Sequence, residues 1–374
     1  MKPKQPRVMF VLPSLISSGG AEQLVYRMIQ NMISRKLSPI VCCLDSLGDL
    51  GFKLQEDGVK VYCRQQTRSF DLKLTAWMRG IIKDENIQIV HAHMYAAFEY
   101  SVLATLMSRK VKVVYTVHGR LYPEKRMWKR RLIYPLLSLG VDQFVSISEK
   151  TKFAMAYYDF HPEKKIRVIH NGIEIKDQGS REDIQRARIA LGVEGNTRIL
   201  GTAARLEDIK NIPMMIRALK RVMEDYPDTY LLIAGVGSKL DELKAYAVSQ
   251  AISENVLFIG LRSDLHVIYP LFEVFLLSSY TEGVSVSLLE AMTFGVPAVV
   301  TDVGGNSEVV IEGETGHLVP SENDVLMAEK ILQLFNNTEL SRKLGKKGKE
   351  RALTEFSFDG MMDEYMSLYH SLLN

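Results

Sequence analysis

A chain of 374 residues with 47% hydrophobic and 24% charged side chains is long enough for two domains and has the make-up of a globular protein, neither fibrous nor disordered. Its three cysteines, Cys42, Cys43 and Cys63, form no disulfide framework and no metal-binding spacing, which fits a reducing, cytoplasmic compartment. The formal net charge of +3 hides an asymmetry: residues 1–175 hold 27 Lys and Arg against 15 Asp and Glu, and the remainder holds 20 against 29, so the basic half is suited to an anionic surface or substrate.

Lys2, Lys4 and Arg7 precede the apolar stretch from Val8 to Ile16, a superficial likeness to a secretory leader. Pro13 interrupts the run, and Val8–Leu12 reads better as a first strand, followed by the loop Ser14–Gly20 and a helix over Ala21–Ser34. No other stretch approaches the roughly 18 apolar residues that a membrane span needs. Gly19-Gly20 in that loop lets backbone approach a ligand and permits unusual dihedrals. Further strands are expected at Ile40–Leu44, Val59–Tyr62, Ile87–His91, Lys112–Thr116, Gln143–Ser146 and Ile166–Ile169. Strands alternating with helical stretches imply an α/β fold, a parallel sheet with helices on both faces.

Three histidines fall near the ends of these strands: His91 and His93 in Val90-His91-Ala92-His93, and His118 in Val117-His118-Gly119. A spacing of two on a strand end is no metal site without further ligands, so His91 and His93 are read as lining the acceptor side of a cleft. Lys125, Arg126, Trp128, Lys129, Arg130 and Arg131, interleaved with Ile133 and Tyr134, suit an interfacial helix on anionic lipid. No nucleic-acid recognition motif accompanies them.

The polar, glycine-containing stretch 171–197 separates the halves, with the boundary placed at 177/178, giving domains 1–177 and 178–357. A second alternating series follows, with strands expected at Arg198–Thr202, Thr229–Ala234, Val256–Ile259, Val274–Leu277, Ala298–Thr301 and Gly316–Val319. Arg205 and Lys210 follow the first of these on a polar loop ahead of a helix over Ile212–Met223; two cations at a strand's carboxyl end suit a diphosphate leaving group. After Val274–Leu277 comes Thr281-Glu282-Gly283-Val284-Ser285-Val286-Ser287-Leu288-Leu289-Glu290, a strand–turn–helix in which free amides of the first helical turn attract negative charge. Glu282 lies at the mouth and Glu290 about two turns deeper, placed to accept hydrogen bonds from sugar hydroxyls. The final helix, Phe358–Leu373, is apolar on one face through Met361, Met362, Tyr365, Met366, Tyr369 and Leu372.

Three segments, Ala204-Arg205-Leu206-Glu207-Asp208-Ile209-Lys210-Asn211, the Glu282–Glu290 motif and, after the strand Ala298–Thr301, Asp302-Val303-Gly304-Gly305-Asn306-Ser307-Glu308-Val309-Val310, in that order and spacing, resemble the retaining, nucleotide-sugar-dependent glycosyltransferases of family 4. The resemblance spans essentially the whole chain. It implies the GT-B fold, two facing Rossmann-like domains with an interdomain cleft, in which the final helix (358–374) crosses back to complete the N-terminal, acceptor-binding domain.

The resemblance also implies roles. Arg205 and Lys210 bind the donor diphosphate without a divalent metal, and the chain has no Asp-x-Asp. Glu290 holds the ribose hydroxyls, Glu282 the donor sugar, and the amides of Gly283, Val284, Ser285 and Val286 contact sugar and phosphate. Gly260-Leu261-Arg262 receives the base through its backbone, the Gly19-Gly20 loop reaches towards donor phosphates and acceptor, and His118 positions the donor sugar. Asn171-Gly172 matches the interdomain turn. Many relatives carry Gly-Phe-Gly after the first glutamate; Gly283-Val284-Ser285 departs from this and leaves the sugar open.

The expected activity is transfer of a hexosyl or N-acetylhexosaminyl unit from a nucleotide diphosphate sugar, UDP favoured over GDP, to a saccharide acceptor, lipid-linked at the cytoplasmic membrane face. No cofactor is implied. No residue stands out as a covalent nucleophile, which favours attack from the leaving-group face. The rival readings are a nucleotide-sugar 2-epimerase and a catalytically silent assembly partner of the same fold.

Overall fold

The computed structural model describes residues 5–17, 19–65, 71–106, 108, 110–119, 128–174, 177–193, 195 and 197–374, with the backbone alone for Trp128 and Lys129. Short runs rich in Val, Ile and Leu form the strands, several of them buried end to end, as strands covered on both faces must be. The chain divides into two compact units, Met1–Asn171 with Asp359–Asn374, and Gly172–Phe358. The division falls earlier than 177/178 because Ile173 pairs with the end of the second unit: its N–H donates to the Phe356 carbonyl, and its carbonyl accepts from Phe358. A side chain at Gly172 would meet the Phe358 Cα at 2.6 Å, so this turn admits only glycine.

The N-terminal unit holds seven parallel strands, β1 (Val8–Leu12), β2 (Ile40–Cys43), β3 (Lys60–Cys63), β4 (Ile89–His93), β5 (Lys112–Val117), β6 (Gln143–Ser146) and β7 (Ile166–Val168), in the order β3-β2-β1-β4-β5-β6-β7. The C-terminal unit has six, β8 (Arg198–Ala203), β9 (Thr229–Ala234), β10 (Val256–Gly260), β11 (Val274–Leu277), β12 (Ala298–Thr301) and β13 (His317–Val319), in the order β10-β9-β8-β11-β12-β13. Each sheet therefore reverses direction once, at β1/β4 and at β8/β11. In doubly wound sheets such a reversal opens a crevice at the strands' carboxyl ends, where ligands bind.

Two of the strands that begin later than expected do so for one reason. The N–H of Ile87 donates to Ile82 O and that of Val59 to Leu54 O, so each closes the preceding helix instead of opening a strand. β4 consequently starts at Ile89 and runs through His93, placing both histidines within the strand. In register, Phe10 pairs with His91 and His93 with Thr116.

The helix Phe358–Leu373 brings Tyr365 and Tyr369, 1% and 0% exposed, into the core of the N-terminal unit. Arg35 holds its outer face through Asp359 and Asp363, at 3.5 and 2.5 Å.

Candidate active site

The site of the C-terminal unit grows from β8 and β11, the strands either side of the reversal. Beyond β8 the chain forms a short 3-10 turn, Asp208–Lys210, and then Asn211 adopts φ +45, a conformation asparagine tolerates, to enter the helix Ile212–Asp225. The end of β11 secures this turn: Ser278 Oγ donates to the carbonyls of Lys210 and Asn211 at 2.9 and 2.7 Å, and the Tyr280 N–H donates to Ile209 O.

Two distant segments thereby meet. Lys210 Nζ donates to Glu282 Oε1 at 2.5 Å, and Ser279 Oγ donates to the same oxygen at 2.6 Å. The other carboxylate oxygen, Oε2, has no partner among the described residues. The side chains are 17% and 10% exposed, so the pair is mostly shielded yet reachable. The helix after Glu282 starts only at Val286, capped by Ser285, whose Oγ accepts from the Leu288 N–H. Glu282 thus sits in the loop ahead of the helix, and glycine geometry fixes it there. Gly304 has φ +53, and a Cβ on it would lie 1.8 Å from the Glu282 carbonyl, which also accepts from the Gly305 N–H.

Glu290 lies on that helix, 8% exposed, and Glu290 Oε2 accepts from the Tyr269 hydroxyl at 2.9 Å. Tyr269 in turn stacks on Phe294. Arg205 is exposed and makes no side-chain hydrogen bond or ion pair among the described residues, leaving its guanidinium for a ligand. Gly283, Val284 and Ser285 are buried, with Val286 half-buried at the helix start. Gly260 closes β10 at φ +70 and its carbonyl accepts from Gly235; Leu261 is exposed, and Arg262 is engaged by Asp264 through two contacts of 2.8 and 2.6 Å.

Sequence reading passed over the loop after β9. Gly235 and Gly237 press against the backbone of Ala204 and Leu206, where added Cβ atoms would come within 2.0 and 2.4 Å. Ser238 donates to Glu207, and Lys239 pairs with Asp208 at 3.0 Å. This loop therefore braces the Arg205–Lys210 turn, and its signal was the Gly-x-Gly-Ser run at a strand's end. Tyr269 and Ser279, which orient the two glutamates, carried no comparable signal.

In the N-terminal unit, Gly19 caps the first helix and Gly20 opens it; neither adopts a positive φ, so conformational freedom is not what requires them. A Cβ at Gly19 would meet the Glu22 carboxylate at 2.0 Å, the mobile end of a side chain that can turn aside. His91 is corrected from a cleft-lining residue to a core one: it is fully buried, and its two ring nitrogens are taken by Tyr369 Oη and Thr116 Oγ1, each at 2.7 Å. His93, 1% exposed, is likewise buried, but its Nδ1 lies 2.7 Å from His118 Nε2. Burial pushes the imidazoles of His91 and His93 well down and that of His118 down to about 4, so all three are neutral near pH 7.

The basic cluster is only partly surface. Lys125 and Arg126 lie outside the described residues, as do the side chains of Trp128 and Lys129. Arg130, expected to face lipid, turns inward: it pairs with the fully buried Asp159 at 2.8 Å and lies 4.3 Å over the Tyr95 ring. A buried carboxylate requires such a cation. Arg131 is exposed, and beside it Leu132, Ile133 and Leu136 on the helix Trp128–Leu137 are 62, 50 and 69% exposed. No helix among the described residues is long and apolar enough to cross a membrane, and no group of three or more His, Cys, Asp or Glu among them is placed to hold a metal ion.

The chain matches two family profiles in succession: "Glycosyltransferase Family 4" over residues 18–177 and "Glycosyl transferases group 1" over 183–351. EpsD of Bacillus subtilis (strain 168), classed by name with the glycosyltransferases, is 30% identical over 307 residues, 79% of this chain and 80% of that protein. The UDP-Gal:alpha-D-GlcNAc-diphosphoundecaprenol alpha-1,3-galactosyltransferase of Escherichia coli is 24% identical over 349 residues, covering 91% and 88%. Among solved structures, Anabaena HepE in complex with UDP-glucose superposes with a TM-score of 0.87 at 21% identity, covering 98% and 99%. With this sequence match across both units, and two parallel Rossmann-like sheets of the GT-B type, the chain is a glycosyltransferase and belongs to family 4.

Proposed function

We propose that this protein transfers a hexosyl or N-acetylhexosaminyl unit, with retention of configuration and without a metal, from a UDP-sugar to a lipid-linked saccharide in polysaccharide or lipopolysaccharide synthesis. The observation that carries the reading is the meeting of Lys210 and Glu282 where the sheet reverses, with the unengaged Arg205 beside them on the same loop. Arg205 and Lys210 take up the charge of the departing diphosphate, Arg205 by clasping two oxygens and Lys210 as a point charge. Glu282 Oε2 accepts from a sugar hydroxyl, and Glu290, oriented by Tyr269, accepts from the ribose. His118 contributes to holding the sugar. With no covalent nucleophile singled out among the described residues, the acceptor hydroxyl attacks on the leaving-group face and passes its proton to the departing phosphate oxygen.

UDP is favoured because HepE was solved with UDP-glucose and the E. coli relative is named for UDP-Gal; the latter's name also specifies a diphosphoundecaprenol-linked acceptor. Attachment to the cytoplasmic membrane face is favoured by the exposed Leu132, Ile133 and Leu136 next to Arg131. Sedimentation with anionic vesicles tests it: wild-type protein pellets, and a Leu132→Ser/Leu136→Ser variant stays in the supernatant.

The reading as a whole is tested by thermal stabilisation with UDP, GDP and ADP. A nucleotide at about 100 times its dissociation constant adds about 2.7 kcal/mol. UDP alone is expected to raise the midpoint, and Glu290→Ala to abolish the rise; no shift with any nucleotide would favour a silent assembly partner. Release of UDP only in the presence of acceptor separates a transferase from a 2-epimerase.

A further inference from the structure

His93 and His118 form a pair whose protons can be counted. Both rings are neutral, so the two share two protons among four nitrogens. One proton lies in the 2.7 Å bond between His93 Nδ1 and His118 Nε2. The other sits at one of the outer nitrogens, His93 Nε2 or His118 Nδ1, and both are buried without a hydrogen-bond partner among the described residues. A buried N–H left unpaired is rarer and costlier than an unpaired lone pair, so the two ends are not equivalent. His93 is 1% exposed, lies under the Phe10 ring at 5.9 Å and beside His91 at 4.1 Å, and has nowhere to send an N–H. His118 is the less enclosed ring of the two, half-buried just past β5 and followed by the exposed Gly119, although its Nδ1 is itself covered.

We infer that His93 is a positioning residue: its Nδ1–H donates to His118 Nε2 and thereby fixes His118 as the Nδ1–H tautomer, a hydrogen-bond donor for a hydroxyl oxygen of a bound ligand. Free imidazole carrying one proton has no such constraint, so His93 sets the hydrogen-bond sense of His118. The residue after His93 is held in an unusual conformation. Met94 has φ +71 and ψ 164, a region that belongs almost entirely to glycine, and strain of this kind persists where a site fixes the backbone. The consequence for chemistry is that His118 supplies a proton to a hydrogen bond and cannot act as a base through Nδ1. That the ligand is the transferred sugar rests on the function proposed above; the tautomer does not.

The experiment uses the full chain labelled with 15N-histidine. Long-range 1H–15N correlations at pH 7.5 distinguish protonated from bare ring nitrogens, and His118→Asn identifies the His118 signals. The expected result is a protonated Nδ1 and a bare Nε2 in the wild type. In His93→Leu, His118 reverts to Nε2–H and kcat/KM for the sugar donor falls about tenfold. His93→Asn, whose amide NH2 replaces the donor at Nδ1, keeps the wild-type tautomer and most of the activity. A protonated Nε2 on His118 in the wild type overturns the inference even if no variant folds, as does an unchanged tautomer in His93→Leu. Expected tautomers with no turnover of any nucleotide sugar would uphold the role of His93 and overturn the proposed function instead.

Discussion

Lys210 and Glu282, 72 positions apart, share a hydrogen bond of 2.5 Å at the carboxyl ends of two neighbouring strands. The cation that would meet a leaving diphosphate is held in advance by the carboxylate that would meet the sugar. Binding of the donor then replaces one acceptor of Lys210 by another, and little reorganisation is left for the bond-breaking step. Replacing Lys210 by Ala is expected to lower kcat about 10²–10³-fold, as loss of one preorganised donor does elsewhere. Steady-state kinetics with saturating donor checks it; a change confined to KM would show that Lys210 contributes to binding alone.

Tyr269→Phe removes the hydroxyl that orients Glu290 and leaves the stacking on Phe294 intact. Calorimetric titration with UDP should show affinity reduced about fivefold, equivalent to about 1 kcal/mol for one hydrogen bond. An unaltered affinity would mean that Glu290 keeps its orientation without Tyr269.

The Arg130–Asp159 pair makes opposite predictions for stability and for membrane binding. Arg130→Ala removes the cation paired with the fully buried Asp159 carboxylate, which keeps its Tyr95 hydroxyl contact, and a loss of up to about 3–5 kcal/mol is expected in denaturant unfolding of the N-terminal unit. Arg130→Met/Asp159→Leu, which removes both charges, should recover much of it. Vesicle binding by the double variant should equal that of the wild type, since Arg130 does not face solvent as Arg131 does.

Stability should also fall as the solution becomes acidic, in a window set by the histidines. The folded-state pKa of His118 is depressed to about 4, and those of His91 and His93 lie well below 6.5. At pH values above 6.5 these groups are neutral in both states and their contribution is complete. As pH falls from 6.5 towards 4 the unfolded chain takes up protons that the folded one refuses. Stability therefore drops, by up to about 1.4 kcal/mol per pH unit for each such group. Thermal midpoints at pH 7.5, 6.0 and 5.0 measure this; the slope should be shallower in His118→Asn, and an identical slope would refute the assignment.

What the sequence made legible is the part written in local pattern. Apolar runs located the strands, and motifs at strand ends singled out the glutamate, arginine and lysine residues of the candidate site, because doubly wound sheets bind ligands there. What it hid is pairing across long separations. Nothing near Glu290 announces Tyr269, and nothing near Arg130 announces that Asp159 draws it inward from a run of charges that reads as surface. His91 was misplaced for a related reason: its partner Tyr369 lies 278 positions away, so a polar residue on a strand looked available when it was already satisfied.

That long-range partnership also bears on how the protein is made. Tyr365 and Tyr369 belong to the last sixteen residues, yet they complete the N-terminal unit, closing over His91 and Thr116. During synthesis the first half of the chain emerges early but lacks this piece until residues 359–374 have followed the whole of the second unit. The C-terminal unit, contiguous from Gly172 to Phe358, has no such wait. The order of maturation is thus the reverse of the order of translation, and a chain broken off near its end retains the donor-side residues on an intact unit while the other unit stays unsealed.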